Sequence, residues 1–180
     1  MKGIVFNVFN DLVTDTFGWE IWDQLIEQTQ PESKAIYTSG QVYADEELIS
    51  YVTALSSITG TSAPDLVRAF GKYMMHKFKV MHPEFLEGHS AKSFLSSVHN
   101  VIHVEVKKLH PDSLLPTFEY DDTGADTLTM MYTSHRKLCH LAEGLVEGVG
   151  EVFSKNIEIA HPQCMHEGAP KCHLELRFEQ

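Results

Sequence analysis

The sequence predicts an α+β fold, in which a helical N-terminal lobe precedes a C-terminal lobe of helices and an antiparallel sheet. In the first half of the chain, apolar residues recur at the spacing of amphipathic helices. Beyond Pro111 the pattern changes to short runs of alternating polarity separated by turn residues, as in antiparallel strands. A chain of 180 residues suits one domain with a sizeable core. We therefore expect a single domain over residues 1–180, with lobes at about 1–83 and about 84–180.

Four helices are predicted in the N-terminal lobe. Gly18 and Gly60 end two of the periodic segments, because glycine readily adopts the backbone conformations found just past a helix. Pro64 lies in the first turn of the last helix, where its missing N–H costs no intrahelical hydrogen bond. The predicted helices cover residues 3–16, 19–28, 44–58, and the segment from the cap at 62–65 through residue 78.

One long helix is predicted from Ser90 to His110, with Pro111 as its limit. Ser90 is a suitable N-cap, because its hydroxyl accepts a hydrogen bond from a free N–H of the first turn. An apolar stripe at helical spacing faces the core and consists of Phe94, Leu95, Val98, Ile102 and Val106. His103 lies beside this stripe, and a buried imidazole without a bonding partner costs free energy. His103 is therefore the first candidate for a ligand of a cofactor or metal.

The C-terminal lobe is predicted to contain two strand pairs and a helix. Residues 121–124 have turn composition and separate an extended segment from a strand of alternating polarity. The helix that follows has Leu141, Leu145 and Val149 in one line. The predicted strands cover residues 115–120, 127–134, 156–160 and 172–178, the helix covers 139–153, and residues 161–171 connect the last two strands.

Composition and charge exclude several classes of function. The formal net charge of −11 and the pI of about 5.4 argue against a sequence-independent grip on nucleic-acid phosphates. Lys and Arg are scattered, which argues against binding to anionic membrane surfaces. There is no signal-peptide pattern and no run of the roughly 18 apolar residues that a membrane span needs, so we expect a cytoplasmic protein. Three cysteines, an odd number, argue against a disulfide framework and for free thiols or a metal site.

Three hydrogen-bond donors follow one another on the predicted strand that ends at residue 134. In an extended chain Tyr132, Ser134 and Arg136 point to the same side, because side chains alternate between the two faces. A phenol, a hydroxyl and a guanidinium on one side match an anionic ligand with oxygens at more than one point. The alternative is an ordinary strand with an exposed arginine.

The combination of these residues is more specific than any one of them. His103 on an apolar helix, then Pro116, then Tyr132-x-Ser134-x-Arg136 resembles the H-NOX family of haem nitric oxide/oxygen-binding domains. The opening tripeptide Met-Lys-Gly is similar to the start of that family as well. The resemblance covers nearly the whole chain and implies a stand-alone, bacterial-type member.

The resemblance implies a haem b buried between the two lobes. His103 is then the axial ligand of a five-coordinate ferrous iron, and Pro116 presses on the macrocycle and bends it. Tyr132, Ser134 and Arg136 bind the haem propionates. The distal pocket is expected to be apolar and to comprise Val5, Phe9, Phe70, Met74, Phe78, Leu141 and Leu145, although simple core packing accounts for the same residues.

Leu141 occupies the position at which oxygen-binding members of the family carry a distal tyrosine. Bound oxygen needs a hydrogen-bond donor, whereas nitric oxide does not, so the resemblance implies binding of NO and CO and exclusion of O₂. Tyr73 is the one residue whose hydroxyl would alter this expectation by turning inward. NO weakens the bond between iron and His103, and the resulting conformational change signals to a separate partner. The resemblance implies a histidine kinase or a cyclic-di-GMP enzyme as that partner, and no catalytic function for this chain.

A second site is predicted near the C-terminus. Three thiolates and one imidazole would close a tetrahedral zinc site, formed by Cys139, His161, Cys164 and Cys172, with His166 and His173 as alternative nitrogen ligands. Unpaired thiols or a thiol redox switch are the other interpretations of these cysteines. Two alternative functions thus stay open, a zinc- or thiol-based redox sensor and a haem enzyme that uses His103 as its axial ligand.

Overall fold

The computed structural model describes residues 1–109 and 111–179, apart from the side chain of Leu109. These residues form two compact units, residues 1–70 (unit 1) and residues 71 onward (unit 2). The division falls inside a helix at residue 70, earlier in the chain than the expected boundary near residue 83. Helices in both units and one antiparallel sheet confirm the α+β fold class.

The helices predicted for the N-terminal half are all present, within a few residues of their expected bounds. They are α1 (Gly3–Phe17), α2 (Trp19–Thr29), α3 (Asp45–Thr59) and α4 (Ala63–Met81). In unit 1 the rings of Phe9 and Phe70 are both buried and meet edge to face at 5.1 Å. The hydroxyls of Tyr37 and Tyr51 share a hydrogen bond of 3.0 Å, so the polar atoms of this aromatic core are paired.

Unit 2 contains a four-stranded antiparallel sheet in the order β1-β2-β4-β3. Its elements after α4 are α5 (Ala91–Ser97), a π turn (Val98–Ile102), α6 (His103–Leu109), β1 (Thr117–Asp121), β2 (Thr127–Thr133), α7 (Cys139–Val152), β3 (Ile157–Gln163) and β4 (Cys172–Phe178). Short 3-10 turns cover Pro83–Phe85 and Met165–Glu167. None of the helices within the described residues is long and apolar enough to cross a membrane.

The predicted long helix from Ser90 is present, but it contains a π turn that the sequence did not indicate. The helix begins as expected, because the Ser90 hydroxyl accepts a hydrogen bond from the N–H of Ser93 in a capping box. Within the π turn an extra residue enters the helix, and the N–H of His103 donates to the carbonyl of Val98, five residues earlier. The predicted end at His110 lies outside the described residues.

Strand ends also differ from the prediction, and β1 covers Thr117–Asp121 rather than residues 115–120. β2 ends at Thr133, because residues 134–137 form a turn in which Lys137 has a φ of 49°. β3 continues to Gln163, past its predicted end at residue 160, because its last residues pair with β4 beyond a register shift. The connecting segment is therefore shorter than predicted, covers residues 164–171 and includes the 3-10 turn Met165–Glu167.

Helices α4 and α7 approach closely where glycines replace side chains. A Cβ at Gly148 would lie 2.5 Å from the Cβ of Met75 and 3.0 Å from the carbonyl oxygen of Lys72. A Cβ at Gly71 would overlap the carbonyl oxygen of Leu141 even more closely. Since backbone atoms form most of these contacts, side-chain rotation does not relieve them.

Gly148→Ala is expected to destabilise the protein by about 1–3 kcal/mol, because the added methyl forces α4 and α7 apart. This cost exceeds the gain of about 1 kcal/mol that alanine brings to a helix interior. Urea unfolding measures the change. Gly40→Ala is the control, because a Cβ at Gly40 has no neighbour within 4 Å. Equal stabilities of the two variants would contradict the close approach.

Candidate functional site

His103 is the first residue of α6 and follows the π turn directly. Its ring lies 5.8 Å from the ring of Phe118 on β1 and 6.3 Å from the ring of His99. The Nδ1 atom of His103 is buried and has no hydrogen-bond partner among the described residues. An unpaired polar atom in such surroundings is costly unless another group occupies the space next to it.

The surroundings of His103 keep its ring neutral. The pKa of His103 is lowered to about 4, chiefly by burial and secondly by charge repulsion from His99, while the backbone of Pro116 opposes the shift. A neutral imidazole has a lone pair available for a metal at ordinary pH. The orphaned nitrogen and the neutral ring together fit the axial ligand of a haem iron.

The π turn is bonded to strand β1 by two hydrogen bonds. The backbone N–H of His99 donates to the hydroxyl oxygen of Tyr120 at 3.1 Å. The backbone N–H of Phe118 donates to the Nδ1 atom of His99 at 3.4 Å. The segment just before His103 is thus held from outside its own helix. Sequence reasoning missed Tyr120, because its partner lies 21 residues away and carries no local signal.

Tyr120→Phe is expected to cost about 1 kcal/mol of stability and to accelerate hydrogen exchange at the His99 amide, which loses its acceptor. NMR of the amide protons measures the exchange rate. Tyr43→Phe is the control, since that hydroxyl accepts from Thr38 in unit 1 at 2.8 Å. Unchanged exchange at His99 in Tyr120→Phe would show that the hydroxyl does not hold the π turn.

Tyr132, Ser134 and Arg136 do not form the extended row that the sequence predicted. Only Tyr132 lies in β2, where it is 3% exposed and its hydroxyl accepts from the N–H of Leu138 at 2.9 Å. Ser134 accepts from the N–H of Arg136 at 3.2 Å, and Arg136 donates to the carbonyl of Leu114 at 2.5 Å. The end of β2 and the turn after it still bring a phenol, a hydroxyl and a guanidinium within five residues of the chain. Pro116 is half-buried and stands directly before β1.

The apolar residues that the sequence assigned to a distal pocket differ in burial. In unit 1, Phe9 and Phe70 are fully buried and Val5 is half-buried. In unit 2, α4 buries Met75 rather than Met74. The four assigned residues of unit 2 are all half-buried, namely Met74, Phe78, Leu141 and Leu145. Their place in a ligand pocket stays a prediction.

All four residues of the predicted zinc site lie together. One ligand atom from each of Cys139, His161, Cys164 and Cys172 falls within 4.8 Å of all the others. The sulfurs of Cys139 and Cys164 are 3.8 Å apart. Zinc–sulfur bonds of about 2.3 Å at a tetrahedral angle place two sulfurs about 3.8 Å apart, so this spacing fits a zinc ion.

The three sulfurs have buried and partly polar surroundings. The N–H of Met165 donates to the sulfur of Cys172 at 3.1 Å, a bond that favours a thiolate. Burial, followed by the neighbouring thiols, raises the pKa of Cys139. Burial likewise raises the pKa of Cys172, against the effect of the Met165 N–H. The thiols of Cys139 and Cys172 are therefore protonated without a cation, and metal binding displaces their protons.

Glu143 is a buried carboxylate that sequence reasoning missed. It is 5% exposed, and its two oxygens bond the Nδ1 atoms of His140 and His161 at 3.0 and 2.6 Å. Burial opposes ionisation, but the two histidines lower the pKa of Glu143 overall. The available signal was the spacing of His140 and Glu143 by three residues on the helix that Cys139 begins.

The chain matches the family model described as Haem-NO-binding over residues 2–161. The H-NOX protein from S. oneidensis in the Fe(II)NO ligation state is similar in structure, with a TM-score of 0.93, 33% identity and full coverage of both chains. The structure of the Shewanella oneidensis domain in the Fe(II)CO ligation state has a TM-score of 0.91 and 33% identity, and covers 100% of this chain and 99% of that chain.

The chain is also similar in sequence to soluble guanylate cyclase gcy-35 of Caenorhabditis elegans, with 27% identity over 161 residues. The matched region covers 83% of this chain and 22% of the cyclase. The chain spans about a fifth of the length of the curated relatives it matches. The similarity therefore concerns one part of those proteins.

Proposed function

The chain belongs to the haem-NO-binding family of H-NOX domains, which are haem-based gas sensors, and we propose that it detects nitric oxide at a five-coordinate ferrous haem b. The observation that carries this proposal is the buried, unpaired Nδ1 atom of His103 at the start of α6. When haem is bound, its ferrous iron supplies the coordination position at which NO or CO binds.

Three groups of residues would contact the bound cofactor. His103 supplies the neutral axial imidazole. Tyr132, Ser134 and Arg136 bind the propionates, with Arg136 providing the charge-assisted pair. Pro116, which directly precedes β1, would press on the macrocycle of a bound haem. The five residues belong to unit 2. Pro116 directly precedes β1, Tyr132 lies on β2, and Ser134 and Arg136 lie in the turn after β2.

Selection for NO and CO over O₂ follows from the apolar character of the distal residues. Leu141 and Met74 offer no hydrogen-bond donor, and bound O₂ persists only where a donor meets its partial negative charge. The ring of Tyr73 faces the Nζ atom of Lys77 at 5.2 Å, which favours a position of this tyrosine away from a ligand. Val5, Phe9, Phe70, Phe78 and Leu145 are assigned to the same apolar lining by the family resemblance.

With haem bound at His103, signalling would begin with the loss of that attachment when NO binds. His103 is the first residue of α6, so its release frees the helix at the residue next to the π turn. The π turn keeps its own bonds to β1 through Tyr120 and His99, and we propose that α6 alternates between an attached and a released position beside it. The signal passes to a separate histidine kinase or cyclic-di-GMP enzyme in the cytoplasm, and the chain itself acts as a sensor rather than a catalyst.

An optical spectrum of the purified ferrous protein tests the proposal. We expect a Soret band that shifts on addition of NO and of CO and stays unchanged in air before slow oxidation. A colourless protein, after expression with excess haem, would overturn the haem assignment. A stable new band in air would leave the haem assignment intact and overturn the selection against O₂.

A second function is favoured by a separate observation, the close grouping of Cys139, His161, Cys164 and Cys172. We propose that these residues bind zinc, and that the thiolates respond to oxidants when the metal is lost. Metal analysis of the wild type should give one zinc per chain, and Cys164→Ala should give much less. Equal zinc content in the two proteins would exclude this site.

A further inference from the structure

Glu143 on α7 holds two histidines that lie next to the three cysteines. One of its oxygens, Oε1, accepts from the Nδ1 atom of His161 at 2.6 Å, and Oε2 accepts from the Nδ1 atom of His140 at 3.0 Å. The Glu143 side chain is buried, so water does not compete for these bonds. An ionised carboxylate only accepts hydrogen bonds, so each Nδ1 atom carries the proton.

The bond to Glu143 determines which nitrogen of His161 is available. With its proton on Nδ1, a neutral imidazole presents the lone pair of Nε2. The Nε2 atom of His161 is buried and has no hydrogen-bond partner among the described residues. His161 also shares a group of mutually close ligand atoms with the three cysteines. The unpaired atom and the cysteine sulfurs therefore belong to one site.

We propose that Glu143 is a positioning residue of the zinc centre, which fixes the tautomer and the orientation of His161 so that Nε2 ligates the metal. This inference rests on the proposed zinc site and adds a residue that acts without touching the metal. Carboxylates that accept the second N–H of a metal-ligating histidine raise its basicity and hold its ring.

Glu143 also explains the choice of nitrogen ligand at this site. Cys139, His140 and His166 form a competing group of potential ligands. However, the Nε2 atom of His166 bonds the carbonyl of Lys137 at 2.7 Å, and His166 is exposed. The Nδ1 atom of His140 is occupied by Glu143. Of the three described histidines in these groups, only His161 has one nitrogen bonded to Glu143 and a buried second nitrogen without a partner.

Zinc affinity of the full chain tests the proposal, measured by competition with a chromophoric chelator. Glu143→Gln keeps the shape of the side chain but removes its charge and one acceptor, and is expected to weaken zinc binding by about tenfold. Glu143→Leu removes both acceptors and is expected to weaken it by about 100-fold, the upper part of the range for such partners. Glu158→Gln is the matched control, an exposed glutamate three residues before His161 on β3.

A double substitution separates positioning from a general role in stability. In a His161→Ala background, Glu143→Gln should leave the remaining zinc affinity unchanged, because its effect is transmitted through the imidazole. Long-range ¹H–¹⁵N NMR of the metal-free protein reads the tautomer directly. His161 should carry its proton on Nδ1 in the wild type and lose that preference in Glu143→Leu.

The outcomes distinguish this inference from the zinc proposal itself. A wild type that binds no zinc overturns both. A wild type that binds zinc, together with unchanged affinity in Glu143→Gln and Glu143→Leu, overturns the role of Glu143 and leaves the zinc site standing. Weakening of equal size with and without His161 also overturns it, because Glu143 would then act on the structure as a whole. Weakening only when His161 is present supports it.

Discussion

Replacing His103 by Gly is expected to remove the link between haem and the protein, with the largest functional effect of any single substitution. The glycine leaves space for free imidazole, which takes the place of the side chain at the iron but is not attached to α6. Without imidazole, the haem content of the purified protein should fall sharply. With imidazole, haem should return, and the conformational response to NO should stay absent.

The measurements are the Soret absorbance per chain and hydrogen exchange in α6 with and without NO. His82→Gly is the control, a histidine in the turn after α4 whose ring bonds Glu84. A full response of α6 to NO in the imidazole-loaded His103→Gly protein would disprove the proposed attachment. The orphaned Nδ1 atom adds an independent test. In the haem-free protein, His103→Leu should increase stability by about 1–2 kcal/mol, because it removes an unpaired buried polar group.

The burial of His103 beside an apolar stripe is a feature that the sequence could predict. Its position depends on the apolar stripe around it, and that periodicity is local to one helix. The same holds for the helices of unit 1, whose capping and spacing signals lie within each segment. The zinc ligands could be predicted because few residue types bind zinc and the chain has only three cysteines. The fold then brings four such residues together, namely Cys139, His161, Cys164 and Cys172.

The features that could not be predicted depend on partners distant in sequence. The π turn depends on Tyr120, whose hydroxyl takes the N–H of His99 out of the regular helical pattern. β2 stops at Thr133 because Leu138 folds back, and its N–H bonds the hydroxyl of Tyr132. Glu143 looked like any acidic residue on a helix until β3 placed His161 beside it. Contacts between residues far apart in the chain produce no periodic pattern of polarity within a single segment, so they cannot be predicted from that segment alone.

The zinc site and the proposed propionate-binding turn are physically connected in unit 2. Tyr132 on β2 stands opposite Cys172 on β4 in the sheet register. Lys137, in the turn after β2, donates to the carbonyl of Met165 at 3.3 Å, and its own carbonyl bonds His166 at 2.7 Å. The 3-10 turn between Cys164 and Cys172 therefore holds the segment that leads from Tyr132 to Cys139.

Cys172→Ala is accordingly expected to lower stability and to loosen this segment. A ligand present at about 1,000 times its Kd stabilises a folded protein by about 4 kcal/mol, and the variant should lose stabilisation of that order. Thermal unfolding with and without a chelator measures the loss. The chelator should lower the Tm of the wild type and leave that of Cys172→Ala nearly unchanged, because the variant has no metal to lose.

The connection to the turn predicts a second effect of the chelator, on haem retention. Ser134 and Arg136 lie in the turn after β2, and Lys137 bonds this turn to the 3-10 turn that follows Cys164. Loss of the metal is therefore expected to loosen both turns. Transfer of haem to an excess of apomyoglobin should therefore be faster from the chelated wild type than from the zinc-loaded protein. Cys172→Ala should release haem at the faster rate under both conditions. If the two sites are coupled through this shared segment, the binding of zinc and the binding of haem affect each other. Equal rates of haem transfer with and without zinc in the wild type would therefore show that the two sites act independently.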